Sequence, residues 1–159
     1  VGDEKTCCPT SAGELAKKSG KELHFVVAEK TYANEGEAKK VLLEKTEAFV
    51  NAFTEPKTCS QSQKITVAGK EHCCPGSAGA TAALVKAAMD DIKMTYVVGD
   101  KECHCPTEAE KLAKDSGEAK TYVVAGEKSC CDVTARLALA RARYKAAIEA
   151  LAKADAETK

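Results

Sequence analysis

The sequence predicts an α+β protein of tandem repeats, in which a short β-hairpin is followed by an α-helix, arranged in two pseudo-symmetric halves. Three observations support this prediction. Segments that begin at Val1 and Val98 align without a gap over 28 positions, of which 15 are identical. Short β-branched and aromatic runs recur along the chain, as is typical of strands. Eight of the nine cysteines form CC or CxC pairs that directly precede a predicted helix. A repeat of this length indicates an internal duplication.

Five modules make up the repeat, and four of them carry two cysteines each. The second module instead has Ala33 and Asn34 where cysteines would fall. The modules begin at or near Val1, Leu23, Lys64, Lys93 and Ala119. We expect a first half at 1–56, a linker at 57–63 and a second half at 64–159. The linker lies in a polar stretch that holds a proline and Cys59, the one unpaired cysteine.

Two residues form the predicted turn of each hairpin. Gly and Asp suit such turns, because the tight turns favoured in hairpins need a positive φ. The pair Ala28-Glu29 fits poorly, so one continuous strand of about ten residues remains an alternative reading of each run. The other predicted turns are Ala68-Gly69, Gly99-Asp100 and Ala125-Gly126.

A helix is predicted to begin directly after each cysteine pair. Pro9, Pro75 and Pro106 stand at first-turn positions, where a missing N–H costs nothing, and Asp132 suits the positive end of a helix dipole. Two of these helices should end at Ser19-Gly20 and Ser116-Gly117, since glycine commonly terminates helices.

Two longer helices carry apolar stripes at helical spacing. The first is predicted at Glu35–Phe53 and the second at 132–154. The stripe of the first consists of Ala38, Leu42, Phe49 and Phe53. The stripe of the second consists of Leu137, Ala140, Tyr144, Ile148 and Leu151.

Charge and motifs narrow the classes of function. Lys plus Arg and Asp plus Glu both total 24, so the basic surplus expected of a nucleic-acid-binding protein is absent. The sequence contains no run of 18 apolar residues, which is the pattern that would predict a membrane-spanning helix. The GxSxG, P-loop, GxGxxG and HExxH motifs are also missing. We therefore expect non-catalytic binding rather than an enzyme, although a thiol-dependent enzyme remains an alternative.

The paired cysteines are the candidate metal ligands. A thiol at a helix N-terminus has its thiolate form stabilised, and the thiolate binds metal. Thiolates select iron, with or without sulfide, as well as zinc and copper(I); we favour iron or an iron–sulfur cluster for electron transfer, storage or delivery. His72 and His104 adjoin these cysteines and are possible ligands, or hydrogen-bond partners of ligated sulfur. The predicted ligands are Cys7, Cys8, Cys73, Cys74, Cys103, Cys105, Cys130 and Cys131.

Four thiolates require two modules, since each module supplies two. One arrangement places Cys7 and Cys8 opposite Cys103 and Cys105. In the same arrangement the pair at 73–74 faces the pair at 130–131. Other pairings remain open, as does the possibility that adjacent cysteines serve different metals.

Two further functions are compatible with the cysteines. Pairs of cysteines in an exported protein can form structural disulfides. A CxC pair can also act as a dithiol in thiol–disulfide exchange. A homodimer or a redox partner protein is possible in each case.

The segments YVVGDKECHCP, from Tyr96, and ITVAGKEHCCP, from Ile65, resemble the YHS/TRASH-type metal-binding modules. Those modules have a short hairpin, a cysteine at the strand end and then a helix. The resemblance covers about ten residues of each module and implies heavy-metal binding, sensing or trafficking. In this chain the second cysteine is adjacent or one residue removed instead of lying in the helix, which favours sites shared between modules.

Tandem cysteine-rich modules of this kind also resemble exported bacterial proteins, so we expect a periplasmic or secreted location. The first module opens in the middle of a hairpin, compared with the others. We therefore expect further residues upstream of Val1.

Overall fold

The computed structural model describes residues 1–157 and their side chains, except the side chain of Pro9. Helices and strands are both present, so the predicted α+β class is confirmed. The helices are α1 (Pro9–Ser19), α2 (Glu35–Phe53), α3 (Pro75–Asp90), α4 (Pro106–Ser116) and α5 (Asp132–Glu157). The strands are β1 (Phe25–Val27), β2 (Lys30–Tyr32), β3 (Lys57–Thr58), β4 (Ile65–Val67), β5 (Lys70–His72), β6 (Met94–Val98), β7 (Lys101–Cys103), β8 (Lys120–Val124) and β9 (Glu127–Ser129). Residues 158 and 159 of the predicted second half lie outside the described residues.

Four antiparallel hairpins lie at the predicted places, and each leads into a helix. They are β1–β2, β4–β5, β6–β7 and β8–β9. The alternative of one continuous strand is therefore wrong. Even Ala28 and Glu29 form a tight turn, with φ of 47° and 67°. That conformation costs a non-glycine residue about 1–2 kcal/mol, which explains why the sequence fits the turn poorly.

The strands form three small sheets. The first contains β1 and β2, the second has the order β3-β4-β5, and the third has the order β7-β6-β8-β9. The short strand β3 lies in the predicted linker and pairs with β4. After it, the Gln63 N–H donates to the Cys59 carbonyl at 2.9 Å, and the Cys59 N–H donates to the Lys64 carbonyl at 2.9 Å.

The chain divides into two compact units, Val1–Glu44 and the part from Lys45 onward. The division falls inside α2. The repeat-based division, with its linker at 57–63, stays a prediction about how the chain is organised.

The predicted helix ends are observed. Gly20 and Gly117 adopt the left-handed conformation, with φ of 66° and 71°, directly after α1 and α4. Their N–H groups donate to the carbonyls of Ala16 and Ala113 at 2.9 and 3.0 Å. These bonds satisfy carbonyls that the helix end would otherwise leave unpaired.

Helices α3 and α5 form the main core of the second unit with the end of α2. The predicted stripes are partly wrong, because Phe49 and Ile148 are 56% and 41% exposed. Buried Val50 and Ala147 take their places in the core. Arg136 on α5 also binds Glu47 on α2 with contacts of 2.8 and 2.9 Å. The buried residues of this core are Val50, Val85, Met89, Ala140, Ala147 and Leu151.

A second, smaller core lies between α4 and the four-stranded sheet. Its buried residues are Tyr96, Val98, Cys103 and Ala109. The rings of Tyr96 and Tyr122 meet edge to face, with centroids 5.7 Å apart.

The offset of 97 residues seen in the sequence recurs in the bounds of the elements. It relates both ends of α1 to those of α4, both ends of β2 to those of β9, and the first residue of α2 to that of α5. The arrangement in two pseudo-symmetric halves nevertheless stays a prediction.

Among the helices of residues 1–157, none combines the length and the apolar character needed to cross a membrane.

Candidate functional site

Four modules place two neighbouring cysteine or histidine side chains at the same two positions. The chain bends at Cys7, Cys73, His104 and Cys130, which we call the bend position. The next residue precedes the helix and is called the cap position; it is occupied by Cys8, Cys74, Cys105 and Cys131. The bend matters because adjacent side chains of a straight strand point to opposite faces. The two positions thus lie together at the N-terminus of each helix.

The cap position begins the helix in every module. The Cys8 carbonyl accepts the N–H of Ala12 at 2.9 Å, and the Cys105 carbonyl accepts that of Ala109 at 3.0 Å. The carbonyls of Cys74 and Cys131 accept from Ala78 and Ala135 at 3.2 and 3.0 Å.

The module without cysteines shows what an ordinary cap looks like in this fold. Its cap residue is Asn34, whose Oδ1 accepts the N–H groups of Gly36 and Glu37 at 2.7 and 3.2 Å. These bonds satisfy N–H groups that a helix start leaves unpaired. Cys8, Cys74 and Cys105 form no capping side-chain hydrogen bond. At Cys8 and Cys105 the neighbouring N–H groups of the helix start stabilise the thiolate instead.

Most of the predicted ligands lie at the surface. The structure shows no disulfide bond within residues 1–157, and all of the cysteines except Cys103 are exposed. Cys103 is only 4% exposed and belongs to the core beneath α4. It is the last residue of β7, so it precedes the bend position by one residue.

The helix starts favour the thiolate at two cap positions. The hydroxyl group of Ser11, followed by the backbone N–H groups of Ser11 and Thr10, lowers the pKa of Cys8 to about 7. The backbone N–H groups of Glu108 and Thr107 lower the pKa of Cys105. Burial raises the pKa of Cys103. Cys8 and Cys105 are thus more often thiolates near neutral pH than the buried Cys103, and the thiolate is the form that reacts and binds metal.

Cys59 lies outside the modules, and its environment also favours the thiolate. The side chain and the backbone of Ser62 lower its pKa. It has no second cysteine beside it in the sequence.

The three histidines occupy different environments. His72 Nδ1 lies 2.9 Å from the hydroxyl of Ser77, while its Nε2 is buried and has no hydrogen-bond partner among the described residues. His104 is exposed at the bend position. His24 Nε2 lies 3.6 Å from a carboxylate oxygen of Glu22.

The strands that lead to the cysteine pairs of the last two modules end far apart. In the four-stranded sheet, Cys103 on β7 and Ser129 on β9 occupy one row with Tyr96 and Tyr122 between them. Three strand spacings separate the outer strands by roughly 14 Å. Thiolates around one tetrahedral metal ion are about 4 Å apart. The strand ends that lead to these two pairs therefore do not bring them to one ion.

Residues 1–157 contain no cluster of three or more His, Cys, Asp or Glu residues placed to hold a metal ion. The predicted pairing of Cys7 and Cys8 with Cys103 and Cys105 would join the two compact units, and it stays a prediction. A cavity of about 140 Å³ is lined by Phe49, Phe53 and Lys57 among others, and by no cysteine.

The chain matches no family model, no curated protein and no solved structure. The resemblance to YHS/TRASH-type modules thus stays an expectation from the sequence.

Two features of the site were missed by sequence reasoning. One is that His104, which the sequence predicts as a possible ligand, occupies the same bend position as Cys7; the alignment of Val1 with Val98 sets these two residues opposite each other and would have been the signal. The other is an alanine four residues after every cap position, four of which are buried. These alanines are Ala12, Ala38, Ala78, Ala109 and Ala135.

Proposed function

We propose that the chain binds soft transition-metal ions reversibly through the exposed thiolates at the bend and cap positions, for storage or delivery. One observation carries this proposal: three helices begin at a pair of adjacent exposed cysteines, and a fourth begins at an exposed His-Cys pair. A purely structural cysteine would be expected in the interior instead.

The position of the thiols supports metal exchange. At Cys8 and Cys105 the N–H groups of the helix start stabilise the anionic form that binds metal. Because the thiols are exposed, an ion can enter or leave without displacing a packed element. This feature favours storage or delivery over electron transfer by a buried centre.

The choice of metal follows from the number of thiolates at each helix. A pair of thiolates suits copper(I), which accepts few soft ligands, or zinc with further ligands from water or a partner. An iron or iron–sulfur centre needs four cysteines and therefore two modules. The ends of the strands before the last two cysteine pairs are separated by roughly 14 Å, which favours copper(I) or zinc bound by individual modules. An iron centre shared by two other modules remains a proposal.

The test is titration of the reduced full-length protein with copper(I) under anaerobic conditions, in competition with a coloured chelator. We expect binding by each cysteine-bearing module. Replacing Cys73 and Cys74 by Ser should lower the amount of bound copper(I) by the amount that one module binds. Cys59→Ser is the matched control, because Cys59 is also exposed but lies outside the modules, and it should bind as much as the parent. Absence of binding, or an equal loss in the control, would contradict the proposal.

Thiol–disulfide exchange is a second candidate, favoured by Cys8. Its pKa of about 7 is near ambient pH, the optimum for an attacking thiol. In such a reaction the Cys8 thiolate attacks a partner disulfide and forms a mixed disulfide, with release of one partner thiolate. Cys7 then attacks the Cys8 sulfur and displaces the second partner thiolate. The partner disulfide is thereby reduced, and Cys7 and Cys8 are oxidised to a disulfide. A single round of reduction of a model disulfide by the reduced protein, which stops in Cys8→Ser but continues in Cys130→Ser, would support this function.

A further inference from the structure

We propose that the metal-binding pair of the fourth module is His104 and Cys105, and that Cys103 belongs to the core and not to the site. This module would then offer one imidazole and one thiolate, whereas the three other cysteine-bearing modules offer two thiolates. The inference rests on the proposed metal-binding function and identifies the ligands of one of its sites.

Cys103 occupies the last position of its hairpin, and not the bend or cap position. In the hairpins, the second strand ends at a residue paired with an apolar or aromatic residue of the first strand. Cys103 pairs with Tyr96 in this way, as His72 pairs with Ile65. Ser129 pairs with Tyr122 in the last module. Cys103 is therefore the structural counterpart of His72 and Ser129, and His104 is the counterpart of the bend cysteines.

Burial supports the same assignment. Cys103 is 4% exposed and is clustered with Tyr96, Val98 and Ala109. His104 and Cys105 are exposed. For Cys103 to bind an ion, its sulfur would have to leave a packed core and open a cavity there, which costs stability. No such rearrangement is needed for the exposed pair.

The residues that correspond to Cys103 in the first and last modules form hydrogen bonds with the backbone of the cap residue. In the first module Thr6 Oγ1 accepts the N–H of Cys8 at 3.2 Å. In the last module the Ser129 hydroxyl accepts the N–H of Cys131 and donates to its carbonyl, both at 3.1 Å. The side chain two residues before the cap position thus binds the backbone of the cap residue in these modules and has a structural role.

The ligand class of the fourth module follows from its side chains. Imidazole suits zinc and copper, whereas paired thiolates suit the softest ions. We therefore expect this module to prefer a borderline divalent ion such as Zn²⁺, and the Cys-Cys modules to prefer copper(I).

The experiment compares zinc binding by the reduced full-length protein and its variants, measured by competition with a chromophoric chelator. His104→Ala and Cys105→Ser should each remove the share of one site. Cys103→Val, with Cys103→Ala as a second variant, should keep it, since both replacements leave the exposed pair in place. Helical circular dichroism shows whether each variant folds. Loss of the site in a folded Cys103 variant, with retention in His104→Ala, would overturn the assignment.

A labelling experiment separates this inference from the proposed function. Native protein is treated briefly with iodoacetamide, and each cysteine peptide is quantified by mass spectrometry. Cys105 should be modified rapidly and Cys103 only after unfolding. If the parent protein binds no metal, the proposed function fails, and slow labelling of Cys103 still establishes its place in the core. Equal rates for the two thiols would refute the placement itself.

Discussion

At the scale of single residues, the same cap position hosts two kinds of chemistry. Asn34 uses its side-chain oxygen to bind two N–H groups of α2. Cys8 and Cys105 occupy the same place and have lowered pKa values. The donors that complete a helix in one module thus activate a thiol in another, since both an amide oxygen and a thiolate accept hydrogen bonds.

The pH dependence of alkylation tests this role of the cap. The thiolate is the reactive form, so a lowered pKa moves the rise in rate to lower pH. The alkylation rate of Cys8 should rise through a midpoint near pH 7, below the value of about 8.5 of an ordinary cysteine. Mass spectrometry of the Cys8 peptide over a pH series measures it.

Ser11→Ala is the matched variant for this measurement, because the hydroxyl of Ser11 is the largest cause of the lowered pKa. It should move the midpoint upward. A midpoint that stays in place would show that the hydroxyl has no such role.

At the scale of the secondary-structure elements, an alanine near the start of each helix sets how the helix meets its hairpin. Ala78, Ala109 and Ala135 are 1%, 0% and 2% exposed. Each donates its N–H to the carbonyl of the cap residue. A small side chain at this place lets the first helical turn approach neighbouring elements closely. The cap residue remains exposed above it.

Enlarging one of these alanines should destabilise the fold. We expect Ala109→Leu to lower the free energy of unfolding by about 2 kcal/mol, because extra methylene groups overpack a filled core. Urea denaturation followed by circular dichroism measures it. Lys111→Leu introduces the same side chain at an exposed position of α4 and should change stability by less than about 0.5 kcal/mol. Equal losses in both variants would contradict the packing argument.

At the scale of the whole chain, two related hairpins have different surroundings. In the second unit β8 lies between β6 and β9, so strands flank it on both sides. In the first unit β2 is the one strand paired with β1 among residues 1–157. Val26 on β1 is correspondingly 54% exposed, whereas Val123, its counterpart on β8, is partly buried.

Amide hydrogen exchange should therefore differ between these strands. Val123 lies opposite Thr95 of β6, and its amide should exchange slowly. The amide of Val26 should exchange much faster, because β1 has no second neighbouring strand among the described residues. Exchange followed by nuclear magnetic resonance measures both, with Val27, which faces Lys30 of β2, as the internal reference. Equal protection of Val26 and Val123 would show that β1 is covered on its outer side.

Much of the local structure could be predicted from the sequence. The turns at 28–29, 68–69, 99–100 and 125–126, the helix starts after the cap residues and the glycine ends at Gly20 and Gly117 were all placed correctly. Each of these features depends on residues within a few positions, through φ preferences and the hydrogen bonds of helix ends.

The candidate site was predicted in part. The exposed cysteines at the helix starts were identified from the sequence. Cys103 was grouped with Cys105 from their spacing alone, and the structure shows that Cys103 is buried; whether it is a ligand stays a prediction. Similarly, Phe49 was placed on the buried stripe of α2, although neighbouring Val50 is the buried residue. Spacing along a helix or strand does not specify which face meets the rest of the chain.

The sequence by itself determined the module: where the hairpin turns, where the helix starts and which residues stand at that junction. The tertiary structure alone decided which of those residues are accessible. Cys103 is buried because β7 continues to that residue and its side chain joins Tyr96 and Ala109 in a core beneath α4. His104 and Cys105 are exposed because the chain bends there before the helix begins. Burial depends on contacts between elements that are distant in the sequence, and the local preferences of a segment do not specify those contacts.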